Sequence, residues 1–148
     1  MTVLVSACLL GVACRYDGAS KGLPEETLRA LMARHTLVPA CPEQLGGLPT
    51  PRAPSERRGS HIVMRTGADV TDAYTRGAQQ TLALAQRFGC TAALLKQRSP
   101  SCGKGEIYDG TFTGTLTAGW GTAARLLRQV GMTVLGESAI GELLAEGG

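Results

Sequence analysis

Five cysteines stand out in this chain of 148 residues: Cys8, Cys14, Cys41, Cys90 and Cys102. Three of them occupy equivalent places. Cys8 follows the β-branched run Thr2 to Val5, and Cys41 follows Thr36 to Val38. Cys102 sits in "LLKQRSPSCGKG" (94–105), on a Ser/Pro/Gly turn just past the run Thr91 to Lys96. A packing cysteine belongs inside such a run, whereas these three lie on the loops beyond, where function concentrates. Three thiolates brought together suit a soft metal or an iron–sulfur cluster. No CxxC pair is present, which disfavours a zinc ribbon or a thioredoxin-type dithiol. Glu43 lies two residues after Cys41, and Ser101 directly precedes Cys102. Wherever the thiols meet, a carboxylate and a hydroxyl meet with them, and a carboxylate beside a metal is a candidate acid–base group. The plainer alternative is unrelated cysteines, a loop-capping Glu43 and a turn serine.

Convergence requires three parallel strands, and the surrounding pattern supplies them. Thr2 to Val5, Thr36 to Val38, Thr91 to Lys96 and Met132 to Leu135 read as buried strands. Between them lie helical stripes. Pro24-Glu25-Glu26 opens one, with Leu28, Leu31 and Met32 on its apolar side. A second runs from Asp72 to Phe88 through Tyr74, Ala78, Leu82 and Ala85, and Gly89 ends it. A third carries Ala123, Leu126, Leu127 and Val130 and stops at Gly131, and Ser138 is a candidate cap for a last helix through Leu144. Residues 42–60, with Pro42, Pro49, Pro51 and Pro54, read as a long functional loop, and Ile62 to Arg65 as a short strand. Residues 103–119 suggest a hairpin excursion. Alternating strand and helix predicts an α/β fold, a mostly parallel sheet with helices on both faces, whose ligands bind beyond the carboxyl ends of the strands. Cys8, Cys41 and Cys102 then share one edge. Cys90 precedes its strand and belongs at the opposite edge as a packing residue. Cys14, in the same loop as Cys8, stays open.

Size and composition narrow the function classes. The length is that of one domain, 1–148, able to bury a core without disulfides. A formal charge of +3 and 4% aromatic residues argue against a nucleic acid polymer as partner. No segment approaches membrane-spanning length and the N-terminus has no basic export signal, so the expected location is cytoplasmic with reduced thiols. His35 and His61 read as a helix end and a strand-edge residue rather than ligands.

Three blocks carry a family resemblance: "SACLLGVACRYDG" (6–18), "PACPEQLGGLPTPR" (39–52) and "KQRSPSCGKG" (96–105). In this order and over nearly the whole chain, they resemble the signature blocks of the DUF523 family, which includes the thiouracil desulfurases. The resemblance implies a compact Rossmann-like three-layer domain. It implies a [4Fe-4S] cluster held by only three cysteines, here Cys8, Cys41 and Cys102, the three that the strand pattern selects. It also implies catalytic roles for Glu43 as acid–base and for Ser101. An iron without a fourth protein ligand would accept a thiocarbonyl sulfur as a Lewis acid, and water, or Ser101 first, would replace that sulfur without redox change. The implied substrate is a small molecule, a thiolated uracil or its nucleotide, and the position of its sulfur is open. For a nucleotide, Arg15, Arg52 and Lys104 are the candidate phosphate contacts. The rival reading is a structural metal site or a thiol-redox module without turnover.

Overall fold

The computed structural model describes residues 1–145. Strands β1 (Thr2–Ser6), β2 (Thr36–Ala40), β5 (Ala92–Leu95) and β8 (Thr133–Gly136) form one sheet in the order β2-β1-β5-β8, with every neighbouring pair parallel. Strands β3 (Ser55–Arg58) and β4 (His61–Met64) form one antiparallel hairpin; β6 (Glu106–Tyr108) and β7 (Leu116–Ala118) form another. The helices are α1 (Glu25–Arg34), α2 (Pro42–Leu45), α3 (Thr71–Arg87), α4 (Thr122–Gln129) and α5 (Ile140–Ala145).

Side chains alternate across the sheet, as the period-two geometry of strands demands. Val3 and Val5 pack with Ala92, Leu94 and Leu135 towards Leu31 of α1 and Leu143 of α5. Leu4 packs with Ala93, Leu95 and Val134 towards Ala85 of α3 and Ala124 and Leu127 of α4. The result is three layers, with α1 and α5 on one face and α3 and α4 on the other. The two helices that feed β5 and β8 end alike. After α3, Gly89 adopts φ +66°, its N–H reaches Gln86 O, and Cys90 N–H reaches Ala85 O. After α4, Gly131 adopts φ +91° with the equivalent bonds to Arg128 O and Leu127 O. Only glycine takes this left-handed position without steric cost, so both stops are written in the chain.

Several local expectations are corrected. Residues 42–60 are not one loop: they contain α2 and β3, the latter held by pairing to β4 rather than by its own polar sequence. Met32 points to solvent at 67% exposure, because Leu31 alone fills that turn's contact with the sheet. Val130 likewise stays outside as the α4 cap. Ser138 lies within a 3₁₀ turn, bonded by Gln97 Nε2 rather than capping α5.

Candidate active site

The strand order reverses at β1: β2 lies to one side of it and β5 to the other. A cavity of about 610 Å³ opens there, beyond the carboxyl ends of β1, β2 and β5, where parallel α/β sheets bind ligands. Cys8, Cys41 and Cys102 all line it, and so does Cys14. Cys90 does not; it is half-buried against the α3/α4 side.

Each thiol is placed by a short device. Cys8 sits in the 3₁₀ turn Ala7–Leu10 directly after β1. Cys41 occupies the N-cap position of α2 directly after β2, without a side-chain capping bond. Cys102 stands on a turn in which Ser99 Oγ accepts its N–H at 2.7 Å and Ser99 O accepts Gly103 N–H at 2.9 Å. The start of α4 completes that turn, because Ala123 N–H and Ala124 N–H both donate to Ser101 O. Ser6, at the end of β1, accepts Lys96 N–H at 2.9 Å and donates to Cys102 Sγ at 3.3 Å.

Glu43 and Ser101 meet at the cavity wall. Ser101 Oγ donates to Glu43 Oε2 at 3.0 Å and stands 3.5 Å from Cys102 Sγ. The other carboxylate oxygen is gripped by Arg52, with Nε and Nη2 each 3.0 Å from Oε1. The remaining Arg52 donors go to Cys14 O, Pro49 O and Thr50 Oγ1, and its side chain is 3% exposed. Arg52 is therefore Glu43's anchor and has no donor left over for a phosphate. Tyr74 of α3, 2% exposed, lines the cavity close to Glu43, and burial, then that carboxylate, push its phenol well above the usual range. Beneath them, α2 and α3 touch through backbone: a methyl on Gly77 would overlap Pro42 O, and one on Gly46 would overlap Ala73 O.

Arg15 lines the cavity, half-buried, 3.7 Å from Asp17. Lys104 does not line it; it is exposed on the turn beyond Cys102. The two hairpins form the outer wall. Buried Glu56 of β3 accepts Gly110 N–H at 2.9 Å and Phe112 N–H at 3.2 Å, which ties the β6–β7 loop over the cavity. Phe112 there faces Arg58 and Arg65, with guanidinium-to-ring distances of 5.7 and 5.5 Å. Ser6, Tyr74, Arg65 and Phe112 escape a reading by spacing. Only Ser6 leaves a trace, as the polar residue that closes an apolar strand two places before Cys8.

Burial governs the protonation of two of the thiols. Burial first, then Cys41, raises Cys8 to about 11; burial first raises Cys102 to about 12, against hydrogen bonds from Ser6 and Ser101. Such thiols stay protonated near neutrality unless a metal centre displaces the protons. Among the described residues, no three His, Cys, Asp or Glu side chains stand close enough to grip a single ion. A lone zinc would need that, with bonds of about 2.3 Å to sulfur. A cluster whose irons occupy separate corners takes its thiolates from a wider triangle, and the cavity has room for one. Three soft thiols at the ends of neighbouring strands are a donor set that suits an iron–sulfur cluster.

A model of the family described as 2-thiouracil desulfurase matches residues 3–139. The chain belongs to this family. YbbK of Bacillus subtilis (strain 168), an uncharacterized protein, is 43% identical over 152 residues, across 96% of this chain and 99% of its own. The solved structure of TudS, a [4Fe-4S]-dependent thiouracil desulfidase, superposes with a TM-score of 0.92 at 49% identity. It covers 97% of this chain and 95% of that one. The three-layer α/β architecture is thus shared within the desulfurase family. No helix among the described residues is long and apolar enough to cross a membrane.

Proposed function

We propose that this chain removes sulfur hydrolytically from a thiolated uracil nucleotide, using a [4Fe-4S] cluster held by Cys8, Cys41 and Cys102. The observation that carries the reading is the Ser101–Glu43 hydrogen bond of 3.0 Å set beside those thiols in one cavity. Family membership and the likeness to TudS support the same chemistry.

When bound, the cluster would supply an iron that no protein ligand fills, a Lewis acid for the thiocarbonyl sulfur. The protein's own groups do the rest. Glu43 Oε2 takes the proton from Ser101 Oγ, which attacks the carbon itself or orients the attacking water. Arg52 holds the carboxylate turned towards Ser101. The C–S bond breaks and Glu43 returns the proton to the departing sulfur. Where Ser101 Oγ forms the first C–O bond, a water deprotonated by Glu43 then displaces it, so that a C=O bond carrying the water oxygen replaces C=S and the serine hydroxyl is restored. Thiocarbonyl and water become carbonyl and hydrogen sulfide, and no electrons are exchanged. Arg15 lines the same cavity from its rim and supplies positive charge for a phosphate. Of the other candidate phosphate contacts, Lys104 stands outside the cavity and the Arg52 donors are engaged by Glu43 and its neighbours, which supports Arg15 in this role.

The test is anaerobic reconstitution, then iron and sulfide analysis and incubation with 4-thiouracil, 2-thiouracil and 4-thio-UMP. The expected result is about four irons per chain, as the cluster type requires. Loss of the near-ultraviolet thiocarbonyl band and release of sulfide should accompany it, fastest with the nucleotide. Iron uptake without any sulfide release would overturn the activity. No iron uptake would overturn the cluster as well.

A further inference from the structure

Cys102 differs from the other two proposed ligands in what its sulfur receives. Among the described residues it alone accepts side-chain hydroxyls, from Ser6 at 3.3 Å and from Ser101 at 3.5 Å. The two hydroxyls are not equivalent. Ser101 has one proton for two acceptors, Glu43 at 3.0 Å and the more distant sulfur at 3.5 Å, and stands 3.2 Å from the Ser99 hydroxyl, where either group can donate. Ser6 Oγ already accepts Lys96 N–H at 2.9 Å, which leaves its proton facing away from the β5 backbone, and Cys102 Sγ is its acceptor. The residue is 2% exposed, so water does not compete for that proton. Its backbone lies within β1, paired with β2, so the hydroxyl is aimed from a rigid strand end rather than from a loop.

We infer that Ser6 is a positioning residue that directs its hydroxyl proton onto the Cys102 sulfur and so tunes the electron density of the metal centre held there. The inference rests on the proposed cluster site. A hydrogen bond to a ligating thiolate withdraws negative charge from it, which favours the reduced form and raises the reduction potential. The same withdrawal leaves the irons more electron-poor, and hence better acceptors for a thiocarbonyl sulfur. A non-redox reaction thus uses a device otherwise associated with setting potentials.

The test compares wild-type holoenzyme with Ser6→Ala. The cluster potential is measured by titration followed by electron paramagnetic resonance. Exchangeable protons near the reduced cluster are counted by pulsed ENDOR in H₂O and D₂O. The expected result is equal iron and sulfide content, a reduction potential shifted to more negative values, and loss of one exchangeable-proton signal. The kcat should fall several-fold with KM unchanged. A loaded Ser6→Ala protein with the wild-type potential and proton signals would overturn the inference and leave the proposed function standing. Should Ser6→Ala fail to load, the wild-type spectra decide: a strongly coupled exchangeable proton that Ser6→Thr retains supports the inference, and its absence from the wild type overturns it. A wild-type protein that takes up no iron overturns both.

Discussion

The floor and the rim of the cavity are built in opposite ways. The floor is backbone: strand ends, the α2 start and the α4 start, locked by bonds such as Ala123 N–H to Ser101 O and by close approaches that only glycine permits. Ser101 and Cys102 there are buried, at 2% and 4% exposure, and Cys41 and Glu43 are half-buried. The rim is side chain: Arg15, Arg65 and Phe112 are half-buried or exposed, and they stand on two hairpins tied to each other through buried Glu56. A rigid floor suits a reaction whose reacting atoms must be held within a fraction of an ångström. An adaptable charged rim suits recognition of whatever is attached to the reacting ring. Floor variants should therefore strike kcat or cofactor loading, and rim variants KM.

The largest expected effect on turnover is that of Glu43→Gln. The shape is kept and the proton acceptor is lost, so kcat should drop by about 10²–10⁴, the usual worth of a general acid–base group. Iron content should remain that of the wild type, because Glu43 is not among the proposed ligands. A variant that keeps more than about a tenth of wild-type kcat in a steady-state sulfide assay would place the acid–base role elsewhere.

Gly77→Ala strikes the floor without touching any chemical group. The added methyl would overlap Pro42 O, one residue after Cys41 and one before Glu43. Overpacking against backbone costs about 1–3 kcal/mol, and here the strain falls on α2. Both a lower Tm by thermal scan and reduced iron loading are expected. A fully loaded, fully stable variant would show that α2 can slide, against the rigid-floor comparison.

Arg52→Gln comes next. It leaves Glu43 Oε1 without its ion pair at a side chain only 14% exposed. Removing one partner of such a buried pair costs about 3 kcal/mol. Denaturant unfolding should record that loss, and kcat should fall more than KM rises. The reverse pattern would move Arg52 from the floor to the rim and return it to the phosphate.

How much of this was legible in the sequence also divides along the same line. The strands, helix stops and the convergence of Cys8, Cys41 and Cys102 are readable because they depend on local periodicity, on Gly89 and Gly131, and on one topological rule. The Ser101–Glu43 contact follows once that rule is applied. Arg52 was legible as a cation near the site but not as an anchor, since its partners, Cys14 O and Glu43, lie 38 and 9 positions away. The rim was legible only in its elements: residues 103–119 read as a hairpin and Ile62 to Arg65 as a strand, and both are present as β6–β7 and β4. Its contacts were not, because Glu56 meets Gly110 across 54 positions and Phe112 meets Arg58 and Arg65 only once the two hairpins come together. Lys104, two positions from Cys102 in the chain, stands outside the cavity because adjacency along a tight turn is not adjacency in space.

The smallest effects belong to the rim and discriminate most finely. Arg15 is half-buried, with 25% of its side chain exposed, so a phosphate contact there is worth less than a fully desolvated one. Arg15→Ala should raise KM for 4-thio-UMP by about tenfold, the loss of one charge-assisted hydrogen bond, while kcat holds. For 4-thiouracil, which has no phosphate, the same change should leave kcat/KM within about twofold. Lys104→Ala is the matched control, removing an equal charge from an exposed turn outside the cavity, and both substrates should then react within about twofold of wild type. Equal losses on base and nucleotide in Arg15→Ala would mean that Arg15 supports the Cys8–Cys14 loop and belongs to the floor, and the boundary between the two regions would have to be redrawn through residue 15.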